Sequence, residues 1–152
     1  MVHYHDDYLW GKEQENYTYP ILKEYFKTDL KQYTSQYDDF DFYDEESDYE
    51  QKSRRNNYND YAETMITLNK TQKATEKNIK LVFNFADGIY WILYDEELFK
   101  NFNRKLFSRA DIKNDEKDHI YIPINLLTLI KKKKVAPTGV HPALVAMLQK
   151  CY

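Results

Sequence analysis

Three ionisable side chains, Asp41, Glu50 and Lys52, stand at spacings that would let them act on one reaction. Residues two apart on a strand point to the same side, so Glu50 and Lys52 share a face if residues 48–54 are extended. A two-residue turn at Glu45 and Glu46 pairs position 44 with 47 and position 41 with 50. That register carries Asp41 across the ladder onto the same face. Two carboxylates and an ammonium on one small surface suit a hard, oxygen-liganded cation such as Mg²⁺ or Mn²⁺, which relieves the repulsion between the carboxylates. The main-chain carbonyl of Gln51 supplies a further oxygen. A cation held this way neutralises charge on a phosphate and acidifies a bound water. Lys52 is then placed to orient that water and to offset the charge that develops. Phosphodiester hydrolysis is the reaction this set of groups serves.

The elements that must position these residues can be read from the periodicity. Glu15, Tyr19, Leu22 and Phe26 follow a 3.6-residue period, which predicts a helix over 11–26 that Pro20 kinks or splits. Strands are expected at 30–34, 38–44 and 48–54, with Phe40, Phe42 and Asp44 on one face and Asp39, Asp41 and Tyr43 on the other. A second helix is expected over 62–75, with Met65, Ile66 and Leu68 inward. Residues 79–85 and 89–94 are strongly strand-like, and Asp87-Gly88 between them is a hairpin signal. A helical turn over 95–103, a last strand at 120–124 ending near Pro123, and a terminal helix after Pro142 complete the expectation. This order predicts a mixed α/β layer in which helices cover a central sheet.

The Phe40-Asp41-Phe42 strand followed by Tyr49-Glu50-Gln51-Lys52-Ser53-Arg54 resembles the PD-(D/E)xK nuclease superfamily. Residues 40–97 are more narrowly similar to small nuclease-like proteins of large DNA viruses and phages. The shared features are Tyr61, Thr64, Met65, Ile66, Asn69 and Lys70 on a helix, Asn84-Phe85 and Asp87-Gly88 in strands, and a later strand from His119 to Ile124. The resemblance implies a restriction-endonuclease-like core, a central mixed β-sheet flanked by helices. It implies a Mg²⁺-dependent (or Mn²⁺-dependent) DNA endonuclease of the recombination, repair or homing type. Asp41 and Glu50, with Gln51, would hold the metal, and Lys52 would be the catalytic lysine. The first-helix acid maps to Glu15, with Glu13 as the alternative, and Lys70 would support the site or the scissile phosphate. Gln51 departs from the pattern, which has an apolar residue there. A buried amide needs partners, or its burial costs about 1–3 kcal/mol.

Composition bounds the remaining choices. The chain has 152 residues, with 42% hydrophobic and 31% charged, enough for one domain with a real core. No apolar run approaches the ~20 residues of a membrane span, and the polar first thirty residues carry no secretory leader, so no membrane partner and an intracellular, cytoplasmic or nuclear site are expected. Cys151 stands alone, which excludes a disulfide framework and a cysteine-based zinc site. Charge is segregated: residues 1–50 hold 4 Lys/Arg against 14 Asp/Glu, whereas residues 100–152 hold 11 against 4. Such separation fits an acidic metal-binding region joined to a basic, DNA-facing one, although an AT-rich genome would inflate the same residue types. Arg54 and Arg55, just past the motif, are candidate phosphate contacts, together with Lys70. A domain over 1–130 with a basic extension over 131–152, four lysines at its start, is expected, and a homodimer is the simplest way to cut both strands of DNA. The rival readings are a non-catalytic nucleic-acid-binding module with the same fold and an acidic protein that binds a basic partner.

Overall fold

In a computed structural model, residues 4–35, 37–67, 76–108 and 116–134 are described. A 23-residue helix, α1 (Tyr4–Phe26), leads the chain and starts well before position 11. It runs through Pro20 as one element rather than splitting there. It closes on Lys27 in the left-handed conformation, φ 51°. Hydrogen bonds from Thr28 N to Lys23 O and from Lys27 N to Glu24 O make this a Schellman-type end, here built without glycine. Glu15, Thr18 and Leu22 are the buried positions of the helix, so its inward face carries polar groups at one end and apolar groups at the other.

The main sheet has six strands. In spatial order they are β1 (Lys31–Gln32), β2 (Phe42–Tyr43), β3 (Ser47–Ser53), β5 (Asn78–Phe85), β6 (Gly88–Leu93) and β9 (Thr128–Lys132). β3 and β5 run parallel and every other pair is antiparallel. A parallel pair needs a crossover, and here the crossover contains β4 (Glu63–Thr67), which belongs to a second sheet. That sheet has three antiparallel strands in the order β4, β8 (Glu116–Pro123), β7 (Asn103–Ser108). A single-turn helix, α2 (Glu96–Phe99), capped by the Asp95 side chain, joins the sheets.

Two cores follow from the alternation of side chains along β5. Val82 joins Leu22, Leu30, Phe42, Tyr49 and Ile89 beneath α1. Leu81, Phe83 and Phe85 face the other way, onto Ile66, Ile120 and Ile122 of the second sheet. The layers are therefore helix, sheet, sheet.

The predicted register of the 41–50 hairpin holds: Phe42 pairs with Tyr49 and Tyr43 with Asp48, the pairing implied by opposing 44 to 47. The hairpin expected at Asp87-Gly88 forms one residue earlier, with Ala86 and Asp87 as its turn and Gly88, opposite Phe85, the first residue of β6. A Cβ at Gly88 would lie 2.9 Å from the Tyr90 ring.

Four expectations are corrected. The helix expected over 62–75 is a strand where it is described, because Thr64 and Ile66 are buried while Met65 and Thr67 are not, a period of two. β7 was not anticipated. Phe40 and Phe42 reach different cores, because the chain bends at Asp41. The chain does not leave the domain at 130, since β9 carries Lys131 and Lys132 within the main sheet beside β6. The terminal helix expected after Pro142, like Lys70, lies outside the described residues. Among the described residues, no helix is long and apolar enough to cross a membrane.

Leu22 is fully buried where α1 meets the sheet. Leu22→Ala is expected to lower unfolding free energy by about 3 kcal/mol, read as a reduced urea midpoint at unchanged slope.

Candidate functional site

The ladder between β2 and β3 stops early, and the site lies where it stops. Asp41 N donates to Tyr49 O at 2.9 Å, the last backbone bond of the pair. One step further along β3, Gln51 N donates instead to Asp41 Oδ2 at 2.8 Å. A side-chain carboxylate thus takes the place of a backbone acceptor, which fixes Asp41 and leaves the second half of β3 facing a cleft. That cleft has a volume of about 350 Å³, and Glu15, Asp41, Glu50 and Lys52 all line it.

Glu50 is buried, at 4% exposure, and Lys52 Nζ lies 3.3 Å from its Oε1. The same-side relation expected of two residues on one strand is therefore realised as an ion pair. Glu15 enters from α1. Its side chain hydrogen-bonds that of Asp41, and Lys12 Nζ lies 3.5 Å from its Oε2. Its Oε1 is buried with no hydrogen-bond partner among the described residues. Burial, then the hydrogen bond and the like charge of Asp41, push the Glu15 carboxyl up to about 8, against a smaller downward pull from Lys12. At neutral pH the Glu15 carboxyl therefore keeps its proton. Glu13, the alternative first-helix acid, is exposed on α1.

Gln51 solves the problem its sequence position poses. It is buried at 7% exposure, with its side chain pointing to α1. Thr18 Oγ1 donates to its Oε1 at 2.5 Å and its Nε2 donates to Ser53 Oγ at 3.2 Å. The network continues to Asn84, whose Nδ2 donates to Ser53 Oγ at 3.1 Å and to Gln14 Oε1 at 2.8 Å. Asn84 Oδ1 in turn accepts from Lys133. Asn84 is the one polar side chain of β5 directed at α1 that is almost fully buried, at 1%. A polar residue at an inward position of an apolar strand was the signal that could have marked it.

The two arginines after the motif separate. Arg54 turns toward the second sheet and donates from Nη2 to Met65 O at 2.6 Å, and burial pulls its guanidinium below the usual arginine range. Arg55 stays exposed. Its guanidinium stacks on the Trp10 ring at 3.9 Å, with Asp7 Oδ1 at 3.5 Å from Nη1.

The donor chemistry fits a hard divalent cation. Three carboxyl groups and a strand backbone surround one cleft, an oxygen of Glu15 is orphaned there, and the Glu15 carboxyl is raised enough to hold a proton at neutral pH. Among the described residues, no three His, Cys, Asp or Glu side chains stand as a closed ligand group, so a cation would have to draw these carboxylates inward. No known family model matches the chain, and no curated protein matches it.

A raised carboxyl binds its proton more tightly in the folded state, so the stability it lends is complete below about pH 4.5 and is lost as pH rises through about 8. Glu15→Gln should remove this dependence. Relative to the parent, its Tm is expected to rise by about 2–4 °C at pH 9 and to change little at pH 4.5. An unchanged difference between the two pH values would contradict the raised Glu15 carboxyl.

Proposed function

We propose that the chain is a Mg²⁺- or Mn²⁺-dependent DNA endonuclease with a restriction-endonuclease-like core. One observation carries this reading: Glu15, Asp41, Glu50 and Lys52, from a helix and two strands, line the same cleft. An acid on the first helix, an acid where one strand peels away and Glu-x-Lys on its neighbour are the parts that the superfamily resemblance implies.

When bound, the cation supplies charge neutralisation at the phosphate and a water of lowered pKa. Asp41 is oriented for this by the Gln51 N–H, and Glu50 by burial and by Lys52. The proton held by Glu15 beside Asp41 marks where positive charge is favoured in this cleft. Lys52, half-buried and anchored to Glu50, directs its remaining N–H groups to the phosphate and the attacking water. There its charge offsets the negative charge that grows on the phosphoryl oxygens. Attack by that water on phosphorus leaves a 5′-phosphate and a 3′-hydroxyl. Two copies of the chain would allow both strands to be cut. Arg54 takes no part in this scheme, because Met65 O holds it; Arg55 is the arginine available to phosphate.

A second reading rests on the same ion pair. Glu50 and Lys52 neutralise each other without a metal, as they would in a nucleic-acid-binding module that has lost its chemistry.

Purified protein is expected to nick supercoiled plasmid with Mg²⁺ or Mn²⁺ and not with EDTA. Lys52→Ala and Glu50→Gln should each reduce the rate by at least about 100-fold with the far-UV CD spectrum retained. Plasmid binding without any metal-dependent nicking would favour the non-catalytic module and overturn the nuclease.

A further inference from the structure

Beside the acidic cleft lies a second cavity of about 380 Å³, of opposite character. Trp10 and Tyr17 on α1 supply flat rings, and Arg55, Lys133 and Lys134 supply positive charge. No Asp or Glu is among the described residues that line it. Trp10 and Arg55 line both cavities, so the two are neighbours across one side-chain pair.

Lys133 is built into this pocket rather than trailing from it. Its main-chain N–H donates to Asp87 O at 2.9 Å. Its ammonium donates to Asn84 Oδ1 and, at 2.9 Å, to Phe85 O, and lies 5.2 Å from the centre of the Tyr17 ring. Through Asn84, Ser53 and Gln51 this lysine is tied to the strand that carries Glu50 and Lys52. A ligand seated here is thereby registered against the carboxylate cleft.

We infer that this pocket takes the unpaired nucleotide next to the scissile phosphate, so that the substrate is DNA with a single-stranded segment or end. This rests on the nuclease reading for the word scissile, and on the pocket alone for the unpaired nucleotide. The reasons are chemical. Aromatic faces hold any base by stacking, and cations between them hold the phosphate. A concave pocket of this size encloses a heterocycle, which a base still stacked in duplex cannot offer without being flipped out. A duplex-binding surface would instead spread its cations along an open face to follow the two backbones.

Trp10 reports on this directly. In Trp91→Phe, Trp10 is the one remaining tryptophan, and stacking of a base on it quenches its emission. The protein is titrated in EDTA, which prevents cleavage, with single-stranded oligothymidylate, with a blunt duplex of equal length, and with thymidine monophosphate. The expected result is saturable quenching by the single strand, with affinity about tenfold or more above that for the duplex and far above that for the mononucleotide. Lys134→Glu, an exposed position, should weaken single-strand binding about tenfold without altering the CD spectrum. Anisotropy of a labelled single strand with the parent protein repeats the comparison should Trp91→Phe fold poorly. Equal affinity for single strand and duplex, absence of quenching, or mononucleotide binding as tight as the strand would each overturn the proposal. Failure of the nuclease reading is separate: single-strand quenching would persist while plasmid nicking with Mg²⁺ or Mn²⁺ stayed absent.

Discussion

The Glu15 carboxyl is buried against the like charge of Asp41, and the architecture around the two is arranged about that contact. Asp41 is held by a backbone N–H where the β2–β3 ladder ends, and Glu15 is brought to it by the inward face of α1. Burial and the like charge of Asp41 raise the Glu15 carboxyl, so that it holds its proton at neutral pH. A carboxyl raised in this way lends less stability at neutral pH than below about pH 4.5, and on the proposed reading a ligand of positive charge relieves it. The polar network through Thr18, Gln51, Ser53 and Asn84 then serves a single purpose. It lets polar side chains sit between helix and sheet with their hydrogen bonds satisfied, so α1 can approach closely enough to deliver Glu15.

The charge segregation along the sequence becomes a spatial contrast. Asp7, Glu15, Asp41 and Glu50 line the cleft, while Lys133 and Lys134 reach its neighbour because β9 adds to the edge of the main sheet beside β6. Arg55 on Trp10 stands between the two. An acidic cleft alone would repel a polyanion; on the proposed reading, the basic pocket alongside it holds a phosphate chain while one of its links meets the carboxylates. The opposed charges are then complementary parts of one proposed surface.

Much of this geometry was legible in the residues. Opposing positions 44 and 47 predicts the pairing of 42 with 49 and of 43 with 48, because the short turn leaves little freedom for any other; the bend that takes Asp41 out of the ladder opposite Glu50 was not foreseen. Glu15 followed from helical period, since an acid heading an inward stripe must have a use or a partner. Gln51 announced its own network, because a buried amide has to be satisfied. The stretch at 62–67 was less legible: Thr, Met, Ile and Thr fit either period over so short a length, and its strand pairing depends on β8, more than fifty residues away. Arg54 was misleading for a similar reason, as only the tertiary fold brings Met65 O to its guanidinium. Lys133 could not be told from its three lysine neighbours without knowing that β9 turns it back onto Asn84. Lys70 remains a sequence expectation alone, since it lies outside the described residues.

The central claim is that the cleft between α1 and β3 captures a hard cation through Asp41 and Glu50. Calorimetric titration of metal-stripped protein with Mn²⁺ tests it most directly. A saturating isotherm with about one equivalent bound, abolished in Asp41→Asn and in Glu50→Gln while both variants keep the parent's CD spectrum, is the expected result. Equal heats from the parent and both variants, or none from the parent, would contradict it.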